Sequence, residues 1–288
     1  MGQYSIKDLE VLSGIKAHTL RIWEQRYDIV KPLRTDTNIR YYTDEQLKLV
    51  LNVALLNNSG YKISKIANLT PEEIGQEILR IDHKELKEDL LINQLVEGMV
   101  SLDKQLILKI LHKADDFASV TDFFLKVVFP FFGRVGMLWS SNSINPGQEH
   151  FASNIIKRFL LREIEDLDEP KEDAPMFLLF LPEGDWHELS LMVAEYILKK
   201  SGKRVLYLGA SVPDSDIEAI MKLTSIDFLL CVGILSQPIS AIQNIIDRFS
   251  KVAQDATIIF AGRSFYHEDL KFTRGAKILH SFDDLASF

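Results

Sequence analysis

Residues 16–27 read Lys16-Ala17-His18-Thr19-Leu20-Arg21-Ile22-Trp23-Glu24-Gln25-Arg26-Tyr27. Leu20 and Trp23 are three apart, so on a helix they share a face and turn inward. Lys16, His18 and Arg21 then gather on the solvent side near the helix start. The helix is expected from about Ala17 to Arg26 and must stop before Pro32, whose ring cannot continue it. Just upstream, Ser5 is a candidate N-cap for a short helix from Ile6 to Leu12, and Ser13-Gly14 makes a turn.

Downstream, Leu33-Arg34 is followed by a polar turn, Thr35 to Asn38. Ile39-Arg40-Tyr41-Tyr42 is apolar and aromatic enough for a short strand. Thr43 can cap the next helix, and Asp44 and Glu45 suit its positive end. Leu47, Val50, Leu51 and Ala54 recur there at helical spacing, and Gly60 ends it. Between Lys16 and Arg40, six cations stand against three acids, inside a chain whose formal net charge is -8. A basic footprint within an acidic chain is what a modular regulator would carry.

The whole chain has 288 residues, 47% of them apolar and 26% charged. That composition is normal for a globular protein with ample core, and the length suits two or three domains. The single cysteine, Cys231, excludes an internal disulfide and a thiolate metal site. A reducing, cytoplasmic setting follows as the expectation. The opening MGQYSIKDLE lacks the apolar run of a signal peptide. The apolar stretch from Phe123 to Phe132 is too short to cross a bilayer and is interrupted by Lys126 and Pro130.

Three zones are expected: residues 1–75, 76–170 and 175–288. The middle zone carries four amphipathic stripes. They are Leu86, Leu90, Leu91 and Leu95; Leu106, Ile107, Ile110 and Leu111; Phe123 to Phe132; and Phe151, Ile155, Phe159 and Leu160. Four such segments predict a four-helix bundle. Asp168 to Ala174 is charged, contains Pro170 and reads as a linker. The last zone alternates apolar runs with helices. The runs are Met176–Leu181, Val205–Leu208, Phe228–Ile234, Thr257–Phe260 and Ala276–Leu279. That order predicts an α/β, doubly wound parallel sheet, with Asp214 capping a helix after Pro213.

The first zone resembles the MerR family of transcriptional regulators. The resemblance rests on Ser5-Ile6, Gly14, His18-Thr19-Leu20-Arg21, Trp23-Glu24, Arg26-Tyr27, Arg34, Arg40-Tyr41-Tyr42, Gly60 and Ile63. It implies a mostly-α winged helix-turn-helix that binds an operator in double-stranded DNA as a homodimer or higher homo-oligomer. Lys16, His18 and Arg21 would then face the groove. Arg34, Arg40 and Tyr41 would meet phosphates from the wing. The bland alternative is that Arg26 and Arg40 pair with Glu24 or Asp44 on a solvated surface. Trp23 and Leu20 are core in either case.

In the last zone Asp185-Trp186-His187-Glu188-Leu189-Ser190 resembles the Asp-x-His-x-x-Gly signature of base-off cobalamin-binding domains. Ser190 stands in the glycine place. The resemblance implies that His187 ligates cobalt from the lower face while Asp185 hydrogen-bonds its other ring nitrogen. Ser236 and Ala261-Gly262 match further cofactor positions after later strands. Ser190 and Ala261 replace glycines that let the backbone approach the nucleotide tail, which puts that approach in question. Gly262 alone could be an ordinary turn glycine.

The middle zone adds Trp139 followed, after nine residues, by Glu149-His150. Together with the other motifs this resembles the CarH/LitR-type photoreceptor repressors. It implies that Trp139 and Glu149 contact the adenosyl group of adenosylcobalamin. It also implies that His150 can coordinate cobalt once light has removed that group. A core Trp139 and a surface Glu149 are the plainer alternative. His83, His112, His267 and His280 read as surface residues and Cys231 as buried.

Three functions remain open at this point: a light-responsive, cobalamin-dependent repressor; a MerR-like regulator that has lost the cofactor and answers to another signal; and a corrinoid-carrying methyltransferase subunit. The first is favoured. No membrane role and no enzymatic constellation is expected.

Overall fold

The structure is a computed structural model that describes residues 3–35, 37–79, 84–139, 145–235, 237–253, 255–273 and 275–288. Its chain divides into two compact units, Met1–Ile156 and Lys157–Phe288.

The first unit starts with α1 (Ile6–Ser13) and α2 (Ala17–Tyr27). Ser5 caps α1 as expected. Its side chain accepts from the Asp8 amide while Asp8 reaches back to the Ser5 amide, a reciprocal capping box. Gly14 ends α1 at φ 72°, a left-handed conformation natural to glycine. The carboxylate of Glu10 accepts from the first amide of α2, Ala17, and so stands in for a cap that Lys16 cannot supply. Leu20 and Trp23 are buried.

A two-stranded antiparallel wing pairs β1 (Leu33–Arg34) with β2 (Arg40–Tyr41). Then come α3 (Asp44–Asn58), α4 (Ile63–Ile66) and α5 (Pro71–Leu79). Thr43 and Gln46 form a second capping box at the start of α3.

Helices α6 (Lys84–Val100) and α7 (Lys104–Leu111) follow. The next helical stretch runs through α8 (Val120–Phe123), a π turn (Phe124–Val128) and α9 (Phe129–Trp139). The π turn has a local cause. Pro130 has no amide to return to the preceding turn, and the Phe129 amide reaches back five residues to the Phe124 carbonyl. Helix α6 packs on α7, on the π turn and on α9; α3 packs on α6, and α1 on α9. Head and bundle therefore share one packed unit. The Leu86 side chain of the expected stripe lies outside the described residues. The fourth segment is α10 (Pro146–Glu165), which runs across the division between the units. Residues 168–175 carry neither helix nor strand.

The second unit is a five-stranded, all-parallel sheet: β3 (Met176–Pro182), β4 (Arg204–Val212), β5 (Phe228–Val232), β6 (Thr257–Ala261) and β7 (Lys277–Leu279). The strands lie in the order β4-β3-β5-β6-β7. Helices α11 (Leu189–Lys200), α12 (Asp214–Met221) and α13 (Ile239–Val252) connect them. Leu178, Phe180, Leu229, Cys231, Ile258 and Phe260 meet Ile217, Ile242, Ile246 and Phe249 in one core. Phe177 and Leu179 alternate with these residues along β3 and are buried too, so both faces of the sheet are covered. That is why the strands read as continuous apolar runs.

Two expectations change in detail. Strand β4 reaches Val212, well past the short run that hydropathy marks: Gly209 and Ser211 break the apolar pattern, yet pairing with β3 resumes at Gly209 and Val212 across two register shifts. Asp214 does not cap α12: Pro213 holds the cap position, with no side-chain bond, and Asp214 is the first helical residue. Its carboxylate is still placed where the helix dipole favours it.

Candidate functional site

The strand order reverses between β3 and β5, because the chain leaves β3 for β4 on one side and returns to β5 on the other. In open parallel sheets such a reversal opens a crevice at the carboxyl ends of the strands. Asp185 stands in that crevice, buried to 3% exposure. Its Oδ1 accepts from the His187 amide at 3.0 Å and meets His187 Nδ1 at 3.0 Å. Its Oδ2 accepts from the Ile234 amide, beyond β5, at 3.0 Å. One carboxylate thus ties the two loops of the reversal together and orients the imidazole. Burial alone would raise the Asp185 carboxyl. The hydrogen bonds from the His187 ring and from the Ile234 and His187 amides outweigh it and hold the carboxyl below its ordinary value.

The loop is braced on its other side as well. The Gly184 amide donates to Ser211 Oγ at 3.0 Å, and the Ser211 amide donates to the Asp185 carbonyl at 3.0 Å. Ser211 takes φ 54°, a strained value for a residue with a side chain. The His187 side chain is 58% exposed and Trp186 beside it 70%. With Nδ1 engaged by Asp185, ligation of a metal would fall to Nε2.

Of the other residues expected here, Ser190 lies half-buried in the first turn of α11. Ala261 is the buried last residue of β6, paired with Val232 and Leu279. Gly262 has φ 96°, and a Cβ there would come within 2.3 Å of the Gly233 carbonyl oxygen. Packing of one loop backbone on another is sufficient reason for glycine. Ser236 lies outside the described residues. In the first unit the Trp139 side chain also lies outside them, while Glu149 Oε2 and His150 Nδ1 are 3.2 Å apart at the start of α10. Ile234, Ser211 and Gly233 were not singled out from sequence. Two of them act through main-chain atoms, which leave no mark in residue type.

In the head, Lys16, His18, Arg21 and Arg26 are exposed along α2, and Arg34 and Arg40 are exposed on the wing. Arg34 donates to Asn38 Oδ1 at 2.7 Å across the wing turn, and Lys16 pairs with Glu10 at 3.1 Å. Among the described residues Arg21, Arg26 and Arg40 have no ion-pair partner. Glu24 instead accepts from the Tyr42 hydroxyl, and Asp44 accepts from the Tyr4 hydroxyl at 2.9 Å. Burial, together with these carboxylates, pushes both hydroxyls far above the ordinary tyrosine range. They stay protonated donors that fasten the wing to the helices. Tyr41 is half-buried beside them.

Residues 4–73 match the model of the MerR HTH family regulatory proteins. Residues 91–162 match that of a B12 binding domain. The chain is 29% identical over 210 residues to the HTH-type transcriptional repressor CarA of Myxococcus xanthus, covering 72% of this chain and 68% of that protein. It is 24% identical over 220 residues to the repressor CarH of the same organism, covering 74% and 73%. The chain carries a MerR-type HTH head, as DNA-binding regulators do, and a B12 binding domain. Among solved structures, the regulator resembles a monomethylamine corrinoid protein of Methanosarcina barkeri. The TM-score is 0.54 and the identity 16%, with 74% of this chain and 96% of that one covered, a likeness of fold. The B12 match falls on α6 to α10, the stretch that holds Trp139, Glu149 and His150. Among the described residues no helix is long and apolar enough to cross a membrane.

Proposed function

We propose that the regulator is a repressor whose grip on its operator is set by adenosylcobalamin and by light. The observation that carries this reading is the Asp185–His187 pair at the strand reversal. A lone imidazole backed by a buried carboxylate suits a metal that arrives inside a macrocycle, because such a metal asks the protein for an axial donor only. A structural zinc site would need three or four side-chain ligands. Asp185 would fix the imidazole's tautomer and orientation, and His187 would hold the cobalt. Bound there, adenosylcobalamin would supply a cobalt–carbon bond that light can break.

In the bundle, Trp139 and Glu149 are the proposed wall for the adenosyl group. His150, whose Nδ1 lies beside Glu149, is the proposed donor after photolysis. Lys16, His18, Arg21, Arg34, Arg40 and Tyr41 are the proposed DNA contacts, with the regulator working as a homodimer or a higher homo-oligomer in the cytoplasm. No enzymatic activity is proposed.

The test is an absorbance spectrum. Protein mixed with adenosylcobalamin in darkness, then desalted, is expected to keep the corrin bands and to change them on illumination. Operator affinity should fall with them. His187→Ala should lose about 10–100-fold in cofactor affinity. A colourless protein after desalting would sink the cofactor reading and leave a MerR-type regulator with another signal. Retained cofactor with no spectral or operator response would sink light sensing alone.

A further inference from the structure

One carboxylate stands among the cations of the head. Glu24 lies on α2 one turn beyond Arg21, a spacing that makes the two side chains neighbours on the helix. On the wing, Arg40 stands directly opposite Arg34 in the β1–β2 ladder. Like charges across a ladder repel, so an anion beside either one is welcome. Glu24 can be that anion. A pair between it and Arg21 or Arg40 would compete with DNA phosphate for the same guanidinium. Among the described residues neither pair forms.

Tyr42 occupies the carboxylate instead. Its side chain is fully buried, and its hydroxyl donates to Glu24 Oε1. Its main chain is held in both directions: the Tyr42 amide donates to the Tyr4 carbonyl at 2.8 Å, and the Tyr42 carbonyl accepts from the Tyr4 amide at 2.9 Å. The hydroxyl therefore reaches Glu24 from a fixed point in the fold. Arg21 and Arg40 both act on this hydroxyl electrostatically, each pulling its pKa down against the larger upward push of burial and of Glu24. Hydroxyl, carboxylate and two guanidiniums share one neighbourhood, and within it the carboxylate bonds to the hydroxyl.

We propose that Tyr42 is a positioning residue for DNA binding, holding the Glu24 carboxylate away from Arg21 and Arg40 so that both guanidiniums meet the duplex unpaired. This rests on Arg21 and Arg40 being DNA contacts. Tyr42 is buried and acts through Glu24, without touching DNA itself. Stripped of the hydroxyl, Glu24 keeps its charge, loses its donor and turns to the nearest cation. An arginine already paired contributes less to phosphate binding, so affinity and its salt dependence fall together.

The test is a cycle of full-length proteins: wild type, Tyr42→Phe, Glu24→Gln and the double variant. Each is checked for fold by circular dichroism and titrated with mixed-sequence duplex DNA at several salt concentrations. Tyr42→Phe should weaken binding about 2–5-fold, the scale of one exposed ion pair, and lower the salt slope by about one. In the Glu24→Gln background the same change should cost nothing, because no carboxylate is left to capture an arginine. Glutamine still accepts from the tyrosine hydroxyl, so a hydroxyl that only braces the fold would cost the same in both backgrounds. That equality, or a Tyr42→Phe protein that binds like wild type, would overturn the proposal. Arg21→Ala and Arg40→Ala, titrated alongside, test the reading beneath it. If neither weakens binding, the contacts lie elsewhere and both readings fall. If they weaken it and the cycle shows no coupling, the role of Tyr42 falls alone.

Discussion

Asp185 commits each of its carboxylate oxygens to a different part of the loop system, one to His187 and one to the Ile234 amide. Its ionised form is therefore favoured by folding, and its carboxyl titrates below the ordinary value. The sign follows from linkage. Stability from this group is fully present above the unfolded carboxylate pKa, near 4, and is lost as pH falls through the lower, folded value. Asp185→Asn should cost the second unit about 1–3 kcal/mol at neutral pH, because a buried acceptor is replaced by a group that cannot serve both amides. The same variant should flatten the acid limb of a melting-temperature-against-pH curve. An acid limb as steep as that of wild type would show that other carboxylates set it. The Asp-x-His spacing is visible in the sequence, and so is its place after a strand. The receiving amide of Ile234 is not, because every residue but proline carries one.

At the scale of elements, the boundaries that carry capping chemistry were legible. Ser5 and Thr43 each stand three residues before a side chain that completes a box, and both helices begin there. The sheet was legible from five apolar runs, since strands buried on both faces tolerate little else. The extension of β4 was not, because Gly209, which pairs with Phe180 by backbone, and Ser211 look like a turn. Nor was the π turn, which depends on how a helix absorbs Pro130. The meeting of the loops after β5 and β6 belongs here too. Gly262 touches Gly233 main chain to main chain, and the Gly233 amide donates to the Ala261 carbonyl at 2.9 Å. Gly262→Ala would drive a Cβ into a carbonyl oxygen at a positive φ. Overpacking and backbone strain each cost about 1–3 kcal/mol. Chemical denaturation should show that loss. A loss under about 0.5 kcal/mol, the size of an ordinary surface change, would mean the loops can separate freely.

At the scale of the whole molecule, an acidic chain presents a group of exposed cations on α2 and the wing. Tyrosine hydroxyls occupy the carboxylates of Glu24 and Asp44, while Arg21 and Arg40 face water among the described residues. If Arg40 meets a phosphate, Arg40→Ala should weaken operator and non-operator DNA alike and reduce the salt slope of binding by about one. If it reads a base, the loss should be confined to one position of the operator. Titrations at several salt concentrations on both DNAs distinguish the two.

The chain's single thiol, Cys231, lies at full burial near the end of β5, between Phe180 and Phe260. Burial, with the nearby Asp185 charge, pushes its pKa well up, so the folded protein offers a labelling reagent neither access nor thiolate. Any modification must wait for the strands to part. The rate at which this one sulfur is captured is therefore a clock, already built into the natural chain, for how often the sheet opens, and any ligand that seats between its loops should slow it.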